Sequence, residues 1–407
     1  MAARKPFKLD QLGSVGRGRS RHRPRNDPSL YGGDVPFFQT GDVKAAELYL
    51  HDYTQTYNDK GLAQSKLWQP GTVCITIAAN IAESAVLSIP GCFPDSVVGF
   101  IPFEDKSDGA FIKYYIDTLK HQMQSASRGT TQDNLSLDKL LTFDFLVPEV
   151  AAQRRIASIL SAYDDLIENN TRRIAILEEM ARRIYEEWFV RFRFPGHEQM
   201  KMVKSELGLI PEGWSTQRLV EAAIVTMGQS PSSEHYNVEG KGLPFHQGVT
   251  DFGAHYPSHR TYCTVDGRMA LEGDILMSVR APVGRINLAP SDMVIGRGLC
   301  AIRSRTGQQW FLLHRLLEKF KEEDCMGNGA IFKAVTKQDV LGILFPKAPG
   351  VLEADFERLV APLWQSIRNL TLKNMNLRAT RDLLLPKLIS GELDVSTLPE
   401  PEEAIAA

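Results

Sequence analysis

Two long stretches of the chain carry apolar residues at alternating spacings of four and three, the pattern of helices that pack along a coiled-coil seam. The first runs from about 151 to 188 without glycine or proline, and the second from about 353 to 390 with Pro362 and Pro386. The first seam is Ile156, Leu160, Tyr163, Ile167, Asn170, Ile174, Leu177, Ala181, Ile184 and Trp188. The second is Val360, Leu363, Ile367, Leu370, Asn374, Leu377, Arg381, Leu384 and Leu388. We predict two long helices, with Pro386 kinking or ending the second.

Each seam contains one asparagine near its middle, Asn170 in the first and Asn374 in the second. A polar pair buried in an apolar seam costs stability but fixes the register of the two helices. We therefore expect the helices to pack antiparallel, with these two side chains close together. The alternative is that each asparagine faces solvent.

Outside these stretches, the chain repeats itself at an offset of about two hundred residues. The matching segments are GGDVPFFQ (32–39) with GKGLPFHQ (240–247), PGTVCITIAANIA (70–82) with EGDILMSVRAPVG (272–284), the loops SRGTTQDNLS (127–136) and GNGAIFKAVTK (327–337), and LLTFDFLVP (140–148) with VLGILFP (340–346). Matches in the same order along both halves indicate an internal duplication with pseudo-twofold symmetry.

Each half predicts a mixed domain of short strands with one or two helices, followed by a long helix. The expected fold class is α+β, with two pseudo-twofold-related mixed α/β domains separated by two long antiparallel coiled-coil helices. A helix of about 38 residues is roughly 57 Å long, whereas one turn of B-DNA is about 34 Å long. The helices would therefore hold the two domains apart by a distance of one DNA turn or more. The predicted segments are a first domain over 1–148 with a basic arm over 1–31, a long helix over 149–195, a linker over 196–212, a second domain over 213–350, a long helix over 351–395 and a flexible acidic tail over 396–407.

The bulk composition is that of a soluble globular protein, with 43% hydrophobic and 24% charged residues. No run of about 18 apolar residues and no secretory leader pattern occurs, so we expect a cytoplasmic protein with no membrane partner. The five cysteines form no CxxC pair, which favours free, mostly buried thiols over a disulfide framework or a zinc site. A net charge of -2 argues against a chain that coats nucleic acid indiscriminately. Any nucleic-acid contact must then come from local patches.

The stretch RGRSRHRPR is such a patch, because it carries an arginine at every second position from Arg17 to Arg25. Neighbouring glycine and proline favour an extended arm over a helix. The arm either contacts phosphates or a groove, or is a disordered, solvated terminus.

Several segments resemble the specificity subunits of type I restriction-modification systems. They are VPEVAAQRRIASILSAYDDLIE (147–168), FPGHE and SELGLIPEGW (194–198 and 205–214), GDILMSVRAPVG (273–284), LRATRDLLLPKLISGELDV (377–395) and the loop GTTQDNLS (129–136). Together they span nearly the whole chain in the family's order. The arginine-rich arm is not part of this resemblance.

The resemblance implies two variable target-recognition domains, each of which reads one half of a bipartite, asymmetric site in double-stranded DNA, with the helices as the spacer. Two methyltransferase subunits would dock on this chain and supply S-adenosylmethionine-dependent adenine methylation. Separate motor-nuclease subunits would use ATP and Mg²⁺. The chain itself would bind no cofactor and catalyse nothing, and it contains no G-x-x-x-x-G-K-[ST] phosphate loop.

Residues that reach DNA need donors or acceptors for base edges or a positive charge for phosphates. Arginine suits guanine O6 and N7, and Gln or Asn suits adenine N6 and N7. The candidates in the first half are Arg17, Arg19, Gln39, Arg128, Thr131, Gln132 and Asn134, and those in the second half are Gln247, Arg280, Arg285, Arg297 and Lys333. The alternative for each is an ordinary surface charge or a side chain that stabilises its own loop.

Two rival functions stay open at this point. Asp95, Glu104 and Lys106 have a spacing compatible with a PD-ExK nuclease, in which two carboxylates hold Mg²⁺ and the lysine helps to activate water. The second half has no counterpart of this short pattern. The other rival is a scaffold whose coiled coil binds proteins and whose globular parts bind no DNA.

Overall fold

A computed structural model describes residues 4–127, 134–321 and 335–395 of the chain. These residues form two compact units. The first contains the chain up to Arg173 and again from Leu370, and the second contains Ile174–Asn369. Both units are mixtures of short strands and helices, and each includes a part of both long helices. The predicted α+β class with two long helices is confirmed.

The first unit contains two sheets, with strand orders β2-β10-β7-β8-β4 and β5-β3-β9-β6, and a separate pair of β1 with β11. Its strands are β1 (Lys5–Phe7), β2 (Gly13–Arg17), β3 (Tyr31–Phe37), β4 (Tyr49–Leu50), β5 (Gln55–Tyr57), β6 (Leu67–Trp68), β7 (Val73–Thr76), β8 (Ser84–Leu87), β9 (Gly91–Cys92), β10 (Val97–Pro102) and β11 (Phe145–Val147). Its helices are α1 (Leu9–Leu12), α2 (Thr40–Ala45), α3 (Asp59–Ala63), α4 (Gly109–Ser127), α5 (Leu137–Leu140) and the first part of α6 (Val150–Tyr185).

The second unit also contains two sheets, with strand orders β15-β23-β20-β21 and β16-β18-β17-β22-β19, and the pairs β12-β13 and β14-β24. Its strands are β12 (Met202–Ser205), β13 (Gly208–Pro211), β14 (Ser215–Arg218), β15 (Ala223–Met227), β16 (Tyr236–Asn237), β17 (Leu243–His246), β18 (Tyr262–Cys263), β19 (Met269–Ala270), β20 (Ile275–Ser278), β21 (Ile286–Leu288), β22 (Met293–Ile295), β23 (Leu299–Ser304) and β24 (Leu344–Lys347). Its helices are α7 (Leu219–Ala222), α8 (Gln309–Lys319), α9 (Lys337–Leu341) and the first part of α10 (Gly350–Ser390).

The two units repeat one topology. The order β2-β10-β7-β8 in the first corresponds to β15-β23-β20-β21 in the second. In the other sheet of each unit, the strand that contains the repeated Pro-Phe sequence pairs in parallel with a neighbouring strand. Phe37 of β3 pairs with Cys92 of β9, and Phe245 of β17 pairs with Val294 of β22. The internal duplication predicted from the sequence is therefore present in the arrangement of the strands.

Apolar side chains of α4 and of the start of α6 pack on the sheet β2-β10-β7-β8-β4 and stabilise it. Phe111, Ile112 and Ile116 of α4 are fully buried, and they join Leu160 of α6 in the largest apolar cluster of the first unit. In the second unit, α8 and the long helices share an aromatic cluster, in which Phe189 and Phe311 have ring centroids 4.7 Å apart. Each unit therefore secures its sheets with apolar faces of the long helices.

Both long helices bury the predicted seams, since every seam residue is buried or partly buried. Helix α6 is followed by a π-helical turn over Glu186–Val190. Pro386 does not end the second helix, because α10 continues to Ser390, and the alternative expectation of a kink at Pro386 stays a prediction. It stops where Gly391 adopts a positive φ of 84°, a conformation that favours glycine at the end of a helix.

The two asparagines of the seams meet within the first unit, as predicted. Asn170 Nδ2 donates to Asn374 Oδ1 at 2.8 Å, and Asn374 Nδ2 donates to the Ile167 carbonyl and to Thr171 Oγ1, both at 3.2 Å. Asp164, which precedes Asn170, forms an ion pair with Arg381, which follows Asn374. The helices are therefore antiparallel in this unit.

The N-terminal segment is not the free basic arm expected for 1–31. Strand β1 pairs with β11, strand β2 pairs with β10, and Leu9 and Leu12 between them are fully buried. The arginine-rich stretch then crosses the same unit, where the Arg25 guanidinium donates to both Asp95 oxygens at 2.6 and 2.8 Å. The expectation failed because Leu9 and Leu12, which precede the arginine-rich stretch, insert into the core and anchor the segment.

Four cysteines lie in the described ranges, Cys74, Cys92, Cys263 and Cys300, and all are free and buried as predicted. Burial raises the pKa of the Cys74 and Cys300 thiols. Within residues 4–127, 134–321 and 335–395, no helix has the length and apolar character needed to cross a bilayer.

Candidate nucleic-acid interface

The strands of the second unit end at a common edge, which backbone hydrogen bonds hold together. The bonds run from Gly228 N to Leu299 O (2.9 Å), Gln229 N to Ile295 O (3.0 Å), Gly298 N to Gln247 O (3.0 Å), Val279 N to Gly298 O (2.9 Å) and Val335 N to Val279 O (3.0 Å). We call residues 228–230, 247–248, 279–285, 296–298 and 335 the second rim. The members of this rim are therefore joined through main-chain groups.

The first unit has the same edge. Four corresponding bonds run from Gly18 N to Val97 O (2.8 Å), Arg19 N to Phe93 O (3.0 Å), Ile77 N to Ser96 O (2.9 Å) and Leu135 N to Ile77 O (2.9 Å), and a further bond runs from Phe38 N to Cys92 O (2.9 Å). Residues 18–20, 38–39, 77–83, 93–96 and 134–135 are the first rim. The repeated loops over 127–136 and 327–337 each attach to the rim of their own unit. Leu135 attaches to the first rim, and Val335 attaches to the second rim.

A buried hydroxyl shapes the turn after the central strand in both rims. Ser278 Oγ donates to the Pro282 carbonyl at 2.6 Å and accepts from the Arg285 N–H at 2.9 Å. Thr76 Oγ1 likewise donates to the Asn80 carbonyl and accepts from the Glu83 N–H at 3.0 Å. Each hydroxyl thereby satisfies a carbonyl and an N–H of the turn that have no partner in the strand ladder.

The rims collect most of the sequence-predicted DNA candidates that the structure describes. Arg19, Gln39 and Asn134 are exposed on the first rim, and Arg17 is the exposed last residue of β2 just before it. Gln247, Arg280, Arg285 and Arg297 are all exposed on the second rim. The remaining four candidates, Arg128, Thr131, Gln132 and Lys333, lie outside the described residues.

Two candidate amides are held by neighbouring side chains. Gln39 Nε2 donates to Gln55 Oε1 at 2.8 Å. Ser230 Oγ donates to Gln247 Oε1 at 2.7 Å and accepts from the Arg297 N–H at 3.3 Å. Gln55 and Ser230 were not predictable as partners, because they are 16 and 17 residues from the glutamines that they hold.

A lysine that sequence reasoning missed lies close to Arg19 of the first rim. Lys66 Nζ lies 3.5 Å from the ring centroid of Trp68, a cation–π contact. Burial and the nearby positive charge of Arg19 lower the pKa of Lys66. Asp95 offsets part of the positive charge here, because it pairs with Arg25.

The chain is similar to specificity subunits of type I restriction enzymes. A family model described as the type I restriction modification DNA specificity domain matches residues 4–179. The putative type I restriction enzyme MjaX specificity subunit of Methanocaldococcus jannaschii is 35% identical over 246 residues, which are 58% of this chain and 57% of that protein. The type I restriction enzyme MjaIX specificity subunit of the same organism is 25% identical over 409 residues, 96% of this chain and 94% of that protein. Residues 4–179 therefore resemble a type I restriction modification DNA specificity domain, and nearly the whole chain is similar to a type I specificity subunit.

The fold agrees with a solved specificity subunit. The crystal structure of the type I restriction-modification system S subunit from M. genitalium aligns with a TM-score of 0.62 at 16% identity, over 95% of this chain and 96% of that one. At this identity the similarity concerns the fold alone.

Three aromatic residues of the second unit, which by their chemistry are candidates for stacking on a base, are all partly buried in the structure. Tyr236 stacks on Phe245 with centroids 4.4 Å apart. The imidazole of His255 contacts the Glu178 carboxylate and lies edge-on to Trp364. Tyr256 is partly buried, and burial raises its pKa.

One carboxylate of the nuclease alternative is paired with an arginine. Asp95, the first carboxylate of the PD-ExK pattern, accepts two hydrogen bonds from Arg25. Among the described residues of the chain, no three His, Cys, Asp or Glu side chains are grouped so that they could hold a metal ion.

Proposed function

We propose that the chain supplies the DNA sequence specificity of a type I restriction-modification complex and is itself non-catalytic. Each unit reads one half of a bipartite, asymmetric site in double-stranded DNA. The observation that carries this proposal is the duplicated rim, where two copies of one strand-end framework present exposed arginines and glutamines.

The chemistry of the rims suits base reading better than general phosphate binding. Arginine makes bidentate contacts with guanine, and a carboxamide offers both a donor and an acceptor to base edges. The whole chain has a net charge of -2, so it has no overall attraction for DNA. Positive charge that is confined to the rims of a nearly neutral chain favours binding of DNA in one orientation.

The long helices determine the number of base pairs between the half-sites and dock two methyltransferase subunits. Helices α6 and α10 are 36 and 41 residues long. Both keep apolar side chains on their surfaces, including Leu166 at 53%, Ile176 at 60% and Leu383 at 70% exposure. Exposed apolar side chains along a helix are what a partner protein would cover.

The reactive groups belong to the partner subunits in this proposal. The methyltransferase subunits bind S-adenosylmethionine, and the motor-nuclease subunits bind ATP and Mg²⁺. This chain contributes the choice of sequence and the place of assembly.

Methylation mapping of DNA from cells that contain the complex tests the proposal. We expect a split motif with a fixed gap for the wild-type chain. Replacing Arg280 and Arg285 with alanine should alter bases in one half-site only, and replacing Arg17 and Arg19 should alter the other half-site only. Arg218→Ala is the matched control, because this exposed arginine precedes β15 at the end opposite to the second rim.

Two results would contradict the proposal. If both double variants changed the same bases, the assignment of one unit to one half-site would be wrong. If DNA binding by the reconstituted complex changed little between low and high salt, or were unaffected by all four substitutions, the chain would act as a scaffold without DNA contacts.

A further inference from the structure

Gln247 on the second rim has a side chain whose orientation is fixed by its neighbours. Ser230 Oγ accepts a hydrogen bond from the Arg297 N–H, so its own hydrogen is directed to another acceptor. That acceptor is Gln247 Oε1, 2.7 Å away. In this contact the oxygen end of the Gln247 amide faces Ser230 and the nitrogen end does not.

Two glycines pack against Gln247 from the adjacent turn. A Cβ atom added to Gly296 would lie 2.6 Å from Gln247 Oε1 and 2.9 Å from its Cα atom. A Cβ atom added to Gly298 would lie 2.5 Å from the Gln247 carbonyl oxygen. Contacts this short do not occur between real atoms, so the turn accommodates Gln247 in this position only because both residues are glycine.

We propose that Gln247 is a specificity-determining residue that reads a guanine through its Nε2 hydrogens, and that Ser230 is the positioning residue that makes this choice. The inference rests on the proposed function. In the major groove, guanine presents two neighbouring acceptors, O6 and N7, whereas adenine presents an acceptor beside a donor. An amide that shows only its donors therefore favours guanine over adenine.

The serine decides between the two purines because it occupies the amide oxygen. A free carboxamide pairs with adenine N7 and N6 through its nitrogen and its oxygen together. With Ser230 bound to Oε1, that arrangement competes with an existing hydrogen bond. Removal of the hydroxyl frees the oxygen, and the side chain then matches adenine as well.

Methylation rates of the reconstituted complex on a panel of duplexes, each with one base changed, test this inference. Ser230→Ala should reduce the preference for guanine over adenine at one position of one half-site by about fivefold or more. Ser230→Thr keeps the hydroxyl and should keep the wild-type preference. Gln247→Ala should lose discrimination at that same position, and Gln247→Glu, which offers only acceptors, should disfavour guanine there.

The other half-site serves as the internal control for folding and assembly, because none of these residues belongs to the first rim. If the wild-type complex methylated no split motif, the proposed function would fail. If the wild type recognised a split motif and Gln247→Ala changed no base, or changed a position that is not guanine, this inference alone would be overturned. Equal relaxation by Ser230→Ala and Ser230→Thr would likewise overturn the role of the hydroxyl.

Discussion

The side chain of Asn170 donates a hydrogen bond to that of Asn374, with 9% and 4% of the two residues exposed. We expect Asn374→Leu to lower the free energy of unfolding by about 1–3 kcal/mol, because it leaves the buried Asn170 amide without a partner. The double variant with leucine at both positions should lose less than the sum of the two single variants. Urea denaturation of the three variants measures the coupling. Strict additivity would mean that the pair contributes nothing beyond two separate side chains.

Asp164 is the centre of a buried ionic network in the first unit. It is 2% exposed and contacts the Arg381 guanidinium and the Tyr114 hydroxyl. Burial raises the pKa of Tyr114, and the adjacent carboxylate raises it further. We expect Arg381→Met to cost about 3–5 kcal/mol, because the Asp164 charge would then be buried without its cation.

The matched control for this prediction is Arg358→Met on the same helix. Arg358 pairs with Asp355 at 2.8 Å, but the two side chains are 77% and 41% exposed. An exposed pair of this kind contributes less than about 1 kcal/mol. Comparable losses in the two variants, measured by chemical denaturation, would show that burial of Asp164 has no energetic consequence.

The seams were predictable from the sequence because helical periodicity is a local signal. The predictions of Leu160, Ile167 and the asparagine pair needed only spacing. The network around Asp164 was not predictable, because its partners come from α4 and α10, 50 and 217 residues away. Arg381 had been placed on the apolar seam, and the sequence contained no sign that a carboxylate lies opposite.

Acidification should destabilise the second unit through two buried histidines. His246 is 1% exposed, its Nε2 lies 3.0 Å from His259 Nδ1, and burial together with the charge of His259 lowers its pKa to about 4. Burial lowers the pKa of His314 to about 3, where its Nε2 accepts from the Trp364 indole N–H at 3.1 Å. Each folded-state pKa lies below the unfolded value of about 6.5. The unfolded chain therefore takes up protons first, and stability present at neutral pH is lost as the pH falls from about 6.5 towards 4.

Thermal unfolding at pH 7 and pH 5 measures this effect. We expect His246→Gln to reduce the pH dependence, since glutamine keeps a donor and an acceptor but does not titrate in this range. His121→Gln, at an exposed position of α4, should leave the dependence unchanged. If His246→Gln behaved like His121→Gln, the His246–His259 contact would not be the source of the acid sensitivity.

The long helices cap the shorter helices of both units. Gln153 Oε1 accepts from the Asp108 N–H at 3.0 Å, directly before α4. Glu357 accepts from the Phe311 N–H at 2.9 Å and the Trp310 N–H at 3.3 Å, in the first turn of α8. We expect Glu357→Ala to cost about 1 kcal/mol and to speed hydrogen exchange at those two amides. Glu318→Ala, at the other end of α8, is the control and should leave them protected.

The rims illustrate a different limit of sequence reasoning. Comparing the halves located the candidate loops, and it correctly paired Thr76 with Ser278, because each half carries the same short motif. It could not find Ser230 beside Gln247, since the contact depends on the end of β15 meeting the end of β17. The prediction of a basic arm over 1–31 was wrong for a similar reason. A charge pattern alone does not reveal that Leu9, Leu12 and Leu30 insert into a core.

The attachment of Leu135 and Val335 to the strand ends has an evolutionary consequence. Both residues dock through main-chain N–H groups, on carbonyls of Ile77 and Val279 that any residue would provide. Side chains in the preceding segments are therefore free to be replaced without loss of the docking points. Substitutions in these stretches therefore leave intact a framework that backbone hydrogen bonds and the hydroxyls of Thr76 and Ser278 hold together.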